Sequence, residues 1–337
     1  MSVLAACSGG EEKTGMRVLC AGSLMMPFNE IEAAFEAQHP DIDVLVEGHG
    51  SIQVIRHVTE LHEESDVMVV ADYSLIPMMM YNTEIPETGE SYTDWYITFA
   101  TNSLGIAYTP SSRYAGEING DNWHEILSRP DIKLGMADPR LDACGYRALM
   151  LLSLAETYYR DDSLFEGVLG TFNPAIELVP QGTATRITVP EIIHPESEKI
   201  VLRGSSIRML ALLESGDIDY AFEYRSVSEQ HNLEFVGLPP EIDLGSVEYT
   251  GGYGNATVLL DFHRFSSVRP EFIGQPIIYG VTMPRNAPHP EKAVEFIQFL
   301  FGPESRRIFD ENCQALLDPI RADNLPQVPQ ELAPLLQ

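Results

Sequence analysis

From residue 16 onward, short apolar runs alternate with stretches whose apolar residues recur at helical spacing. Met16-Arg-Val-Leu-Cys-Ala21 has the length and composition of a buried strand. Gly22-Ser23 follows. Phe28, Ile31 and Phe35 then fall on one helical face, with Pro27 acceptable in a first turn. Asp43-Val-Leu-Val-Glu47 predicts a second strand, and Gly48-His49-Gly50-Ser51 leads from it into a helix carrying Ile55 and Val58. Asp66-Val-Met-Val-Val-Ala71 predicts a third. Strand and helix in alternation imply an α/β fold with a mostly parallel sheet.

The stretch from Trp95 to Thr109 is β-rich but too long for one ordinary strand, so it is expected to cross between two domains. Lys133-Leu-Gly-Met-Ala137 opens a second α/β series. Residues Ala148 to Ala155 are apolar nearly all round, which predicts a buried helix. Lys199-Ile-Val-Leu-Arg203 and Ile218-Asp-Tyr-Ala-Phe-Glu-Tyr224 predict further strands, and Pro276 to Met283 is β-like. Pro290 to Leu300 is an amphipathic helix with Ala293, Ile297 and Leu300 on one face. The β segments near 97–109 and 276–284 form a candidate hinge pair. The expected division is a tether over 1–15, a first lobe over 16–100 plus 283–337, and a second lobe over 101–282.

Charge and composition narrow the function. The chain has 337 residues, with 21 Lys and Arg against 50 Asp and Glu, a formal charge of −29. That excludes nucleic acid as an expected partner, because phosphate binding needs cations that displace counterions. It also argues against docking on anionic lipid. No run of 18 apolar residues is present to span a bilayer. A small anion is still compatible, since local donors can outweigh a field screened beyond about 8–10 Å. The four cysteines, Cys7, Cys20, Cys144 and Cys313, match neither a zinc motif nor a C-x-x-C pair, and sequence does not pair them as disulfides. Leu4-Ala5-Ala6-Cys7 has the grammar of a lipobox, and Ser8 to Gly15 that of a polar tether. Only Met1-Ser2-Val3 precede the box, so the leader is abbreviated. Cys7 is the expected lipidation site.

Four strand-to-helix junctions share a character: Gly22-Ser23, Gly50-Ser51, Cys144-Gly145 and Ser205-Ser206. Each puts small or hydroxyl residues before a predicted helix. Unpaired N–H groups and the helix dipole favour an anion there. Ligands of open α/β sheets bind at the carboxyl ends of the strands. Singly, each junction is equally well explained by Ser as an N-cap and Gly as a loop residue. Two acids stand nearby: Asp142, entering the buried helix, and Glu223, ending an apolar strand. Beside an anion they make sense as acceptors of a ligand proton, or as oxygens approaching an electron-poor metal inside an oxyanion. They are otherwise a helix-dipole partner and a solvated strand end. Glu223 and Tyr224 are neighbours on a strand and should face opposite sides, so one of them is expected in the cleft. There is no H-E-x-x-H, no G-x-S-x-G and no P-loop, and His57 and His62, five apart, do not align on a helix face.

In order along the chain stand Ala21-Gly22-Ser23-Leu24, Gly50-Ser51, Ala71-Asp72-Tyr73-Ser74-Leu75-Ile76-Pro77, Asp142-Ala-Cys-Gly-Tyr-Arg147, Leu212 to Val227 and Tyr279-Gly-Val-Thr282. With these blocks, over roughly Met16 to Phe301, the chain resembles the molybdate/tungstate-binding proteins of ABC importers in their archaeal branch. The resemblance implies a type II periplasmic-binding fold, with two α/β lobes joined by hinge strands and the oxyanion held between them. It implies that Gly22, Ser23 and Ser51 bind from the first lobe, that Asp142 and the backbone through Ala143 and Cys144 bind from the second, and that Tyr224 closes the site. It also implies two acids approaching the molybdenum or tungsten of the oxyanion. Asp142 fits the first. At the start of the helix after Arg203, where the second is expected, this chain has Ser205-Ser206, which leaves Ser206 as an oxyanion donor and Glu223 as the substitute acid. Two further departures are Ala143, where proline is usual, and a looser segment from Thr250 to Ser267.

The resulting expectation is an extracellular, lipid-anchored, monomeric binding protein. It captures molybdate or tungstate, delivers it to membrane permease subunits, needs no cofactor and is not an enzyme. The alternatives are a sulfate or phosphate binder of the same fold, or a hydrolase of small anionic esters using Asp142 or Glu223 as base.

Overall fold

The computed structural model describes residues 13–261 and 270–336. Its first sheet has six strands in the order Leu316–Ala322, Ile97–Thr101, Ile278–Thr282, Val67–Val70, Thr14–Ala21 and Ile42–His49. Thr14–Ala21 runs parallel to both Ile42–His49 and Val67–Val70. Val18, Leu19 and Cys20 are fully buried, as the unbroken apolar run requires of a strand covered on both faces. Against this sheet the helix Met25–Gln38 buries Phe28, Ile31 and Phe35. The helix Pro290–Leu300 adds Phe296, whose ring meets Phe35 edge-on at 5.2 Å.

The second sheet has five strands, in the order Ile200–Arg203, Leu134–Ala137, Tyr220–Tyr224, Leu104–Tyr108 and Glu234–Val236. A third, four-stranded sheet runs Glu271–Ile273, Ala256–Asp261, Ala184–Pro190 and Glu177–Gln181. The helix Ala143–Tyr159 packs on strands of both the second and third sheets. That explains why its whole circumference, Ala143 to Ala155, is buried and why the sequence there lacks a polar face.

These three sheets are mixed rather than mostly parallel. Ile278–Thr282 enters the first sheet antiparallel to Val67–Val70 and Ile97–Thr101, and Tyr220–Tyr224 meets Leu104–Tyr108 antiparallel. The Trp95–Thr109 stretch divides at Asn102-Ser103, one half in each sheet. Asn102 fixes the break: its carboxamide donates to Ser226 Oγ at 2.8 Å and Tyr279 Oη at 3.1 Å, and its oxygen accepts from Ser103 N at 3.0 Å. The chain therefore leaves the first sheet at 102–103 and re-enters it after 274–277, not at 100/101 and 282/283. Thr14 and Gly15, expected in the tether, pair with Ile42 and Asp43 as the start of the first strand. Thr250–Tyr253 is a short helix and Ala256–Asp261 a sheet strand, which gives the looser segment a defined place as far as residue 261. Residues 262–267 and Cys7 lie outside the described residues. Cys20, Cys144 and Cys313 are free thiols. Among the described residues no helix is long and apolar enough to cross a membrane.

Candidate functional site

The four strand-to-helix junctions meet where the first two sheets face each other. Gly22 leads a single 3-10 turn, Gly22–Leu24, packed against a second such turn, Ser206–Met209, from the other sheet. A Cβ built on Gly22 would come 3.0 Å from Ile207 Cγ2. At Gly50 the approach is closer still: a Cβ would stand 2.4 Å from the Leu141 carbonyl oxygen and 2.9 Å from that of Gly204. Beside it Gln53 N donates to Leu141 O at 3.3 Å, a backbone bond across the interface. These glycines are explained by the lobes touching, where the sequence offered only loop chemistry or ligand access.

The hydroxyls and acids lie buried behind these contacts. Ser51 starts the helix Ser51–Thr59, and its Oγ accepts from Ala71 N at 3.0 Å, which leaves the hydroxyl proton free for a further acceptor. Ser23 Oγ lies 3.0 Å from Tyr279 Oη. Asp142 is the N-cap of the long helix. One of its oxygens accepts from Cys144 N at 2.8 Å and the other from Ser206 N at 3.2 Å. Ser206 Oγ in turn donates to Glu223 at 3.0 Å, and the same Glu223 oxygen accepts from Tyr224 N at 2.8 Å. Ser206 thus ties the two acids together, one through its amide and one through its hydroxyl. Its donors and the Cys144 amide are engaged by carboxylates here, where the sequence had them as anion donors. Ala143 is buried at the head of the same helix.

Glu223 is completely buried, and its second oxygen, Oε2, has no hydrogen-bond partner. Burial pushes Glu223 up to about 8 and Asp142 up to about 6; the backbone bonds from Tyr224 and Cys144 oppose the rise without cancelling it. Glu223 therefore holds its proton at neutral pH. Glu223 and Tyr224 were expected on opposite sides of a strand, one of them in the cleft. Both belong to the buried network, because the strand ends at Tyr224 and the backbone turns there into the helix Arg225–Gln230. Tyr224 Oη accepts from Arg147 Nη1 at 2.9 Å.

Arg147, Asp72 and Tyr146 complete the set and carried no role in the sequence reading. Arg147 Nη1 also donates to Ala71 O at 2.8 Å, its Nη2 lies 3.3 Å from Asp72 Oδ2, and Tyr146 Oη donates to the same oxygen at 2.7 Å. Asp72 and Arg147 stood in the chain as a loop acid and a base in an apolar run. Their separation of 75 positions gave no cue that they meet. Among the described residues no cluster of three or more His, Cys, Asp or Glu side chains is placed to hold a metal ion.

Two α/β lobes, a chain that leaves the first sheet once and returns to it once, and a buried polar site between them define a two-lobed binding protein. Residues 16–312 match the family of bacterial extracellular solute-binding proteins, and the chain belongs to that family. It is 40% identical over 328 residues to a solute-binding protein of Petrotoga mobilis, a match covering 97% of this chain and 92% of that one. It is 38% identical over 334 residues to the molybdate/tungstate-binding protein WtpA of Thermococcus kodakarensis, covering 97% and 88%. Among solved structures, the periplasmic molybdate-binding protein of Azotobacter vinelandii shares the fold. The TM-score is 0.55 at 14% identity, over 90% of this chain and 99% of that one.

Proposed function

We propose that the protein binds molybdate or tungstate between its two lobes and hands it to the permease of an ABC importer, held outside the cell by a lipid on Cys7. The observation that carries this reading is the pair of buried acids, Asp142 and Glu223, joined through Ser206, with Glu223 Oε2 left without a partner. A site built only to attract a dianion would not hold two carboxyls. Sulfur and phosphorus in their oxyanions take no further ligands, so an ionised acid there would repel sulfate and could serve phosphate only by accepting the proton of hydrogen phosphate. Molybdenum and tungsten can add oxygens beyond their four. On this reading Ser23 and Ser51 donate hydroxyl hydrogen bonds to the oxyanion, Asp142 and Glu223 supply oxygens to its metal atom, and Tyr224 closes the site. The similarity to the Thermococcus protein supports the choice of ligand.

Because Glu223 is held neutral near pH 7, coordination by its carboxylate releases a proton. Calorimetry at physiological salt should show tight binding of molybdate and tungstate and almost none of sulfate or phosphate. Repeating the tungstate titration in buffers of different ionisation enthalpy should show the proton leaving. Tight sulfate binding would overturn the reading, and turnover of phosphate or sulfate esters would favour the hydrolase instead.

A further inference from the structure

We propose that Asp72 is a closure latch: a first-lobe carboxylate, set apart from the oxyanion contacts, that holds the second lobe shut through Tyr146 and Arg147. Asp72 stands two residues beyond the end of the strand Val67–Val70 of the first sheet and is buried. Its Oδ1 is fixed from its own side by Ser74, whose backbone N donates at 3.0 Å and whose hydroxyl donates at 2.7 Å. Its Oδ2 faces the second lobe. There it accepts from Tyr146 Oη at 2.7 Å and lies 3.3 Å from Arg147 Nη2. One oxygen is preorganised by the loop, and the other is spent on the opposite lobe.

Both donors sit on the first turns of the helix whose N-cap is Asp142. A movement that brings Asp142 to a ligand therefore carries Tyr146 and Arg147 toward Asp72. The geometry of this approach is braced from a third direction. Phe272, on an outer strand of the third sheet, stacks on the Tyr146 ring at 4.2 Å with the planes 1° apart. Three residues on, at the point where the chain changes sheets, Gln275 Nε2 lies 3.5 Å from Asp72 Oδ1, and Gln275 accepts from Tyr73 Oη at 3.0 Å. The third sheet thus fixes where the latch donor points.

The energetic logic is a difference between two states. With the lobes apart, water solvates Arg147 and Asp72 separately. With the lobes together, both are buried and each needs the other. Removing the carboxylate charge leaves a guanidinium buried without its counter-charge in the closed form alone, so the equilibrium moves toward open. Asp72 is on this account a positioning residue. Its loss should show in how long the lobes stay closed, not in how fast the ligand arrives.

The proposal takes its ligand from the oxyanion reading, and its test separates the two. In the full chain, tungstate association and dissociation rates are measured for wild type and Asp72→Asn. Lobe separation is followed by energy transfer between fluorophores on exposed positions, one per lobe. Asp72→Asn should raise the dissociation rate about 10-fold or more and leave association within about threefold, with a longer lobe distance at saturating tungstate. A dissociation rate and lobe distance equal to wild type would overturn the latch. If Asp72→Asn does not fold, Tyr146→Phe serves: it keeps the ring on Phe272, removes one hydroxyl, and should raise dissociation about 3- to 10-fold at unchanged melting temperature. If wild type binds no tungstate, the oxyanion reading fails by itself. The latch is then decided by the closed fraction of the ligand-free protein, read from the distribution of lobe distances: a smaller closed fraction in Asp72→Asn than in wild type supports it, and an equal one overturns it.

Discussion

Glu223 shows what a binding site asks of one side chain. Its proton is held more tightly in the folded protein, near pH 8, than at the ordinary 4.5 of the unfolded chain, and Asp142 moves the same way, from 3.8 to about 6. Between those values the folded state binds more protons. Stability is therefore fully present below about pH 4 and is lost as pH rises toward 8. Melting curves of the ligand-free protein should show the midpoint falling steadily from pH 5 to pH 8.5. Glu223→Gln should flatten the upper part of that fall and melt higher than wild type at pH 8.5. The same variant should bind tungstate about 10-fold or more weakly, since a carboxamide is the poorer ligand. A residue that costs stability and is needed for binding is the expected signature of a functional acid. At this scale the sequence was informative where chemistry sits at strand ends: Ser23, Ser51 and Asp142 were legible as hydroxyl or acidic residues at helix starts. Arg147 and Tyr146 were not, because a helix buried all round carries no periodic clue to which of its residues reach across.

Among the elements, the predicted crossing strand was legible because no single strand runs for fifteen residues, and its break point was not. Asn102 sets that point through bonds that only the folded chain assembles, to Ser226 from the second lobe and to Tyr279 from the first sheet. Asn102→Ala leaves both hydroxyls short of a buried donor and should cost about 2–4 kcal/mol, read as a lower urea midpoint at unchanged slope. The third sheet left almost no trace in the sequence. Its outer strand Glu177–Gln181 is largely exposed and contains Pro180, which a sheet accepts at an edge, so neither alternation nor an apolar run announces it. Its presence instead explains the one helix whose polar face was missing.

For the molecule as a whole, the bare backbone at Gly50 is what allows the lobes to close fully. A methyl group there would meet the Leu141 carbonyl at 2.4 Å, a backbone atom that cannot swing aside, while the helical start of Ser51 is unaffected. Gly50→Ala should therefore fold normally yet fail to close. Small-angle scattering should show wild type contracting on adding tungstate and the variant keeping its ligand-free radius of gyration. The departure from the first sheet and the late return to it have another consequence, which belongs to the making of the protein. The second lobe is one unbroken stretch of chain, whereas the first is made in two instalments. Ile278–Thr282 must insert between Val67–Val70 and Ile97–Thr101. Until the ribosome has delivered residue 282, the half of the first sheet already synthesised has an unpaired edge where that strand belongs. The second lobe is thus free to fold during synthesis, and the lobe that begins the sequence is the one that must wait for its end.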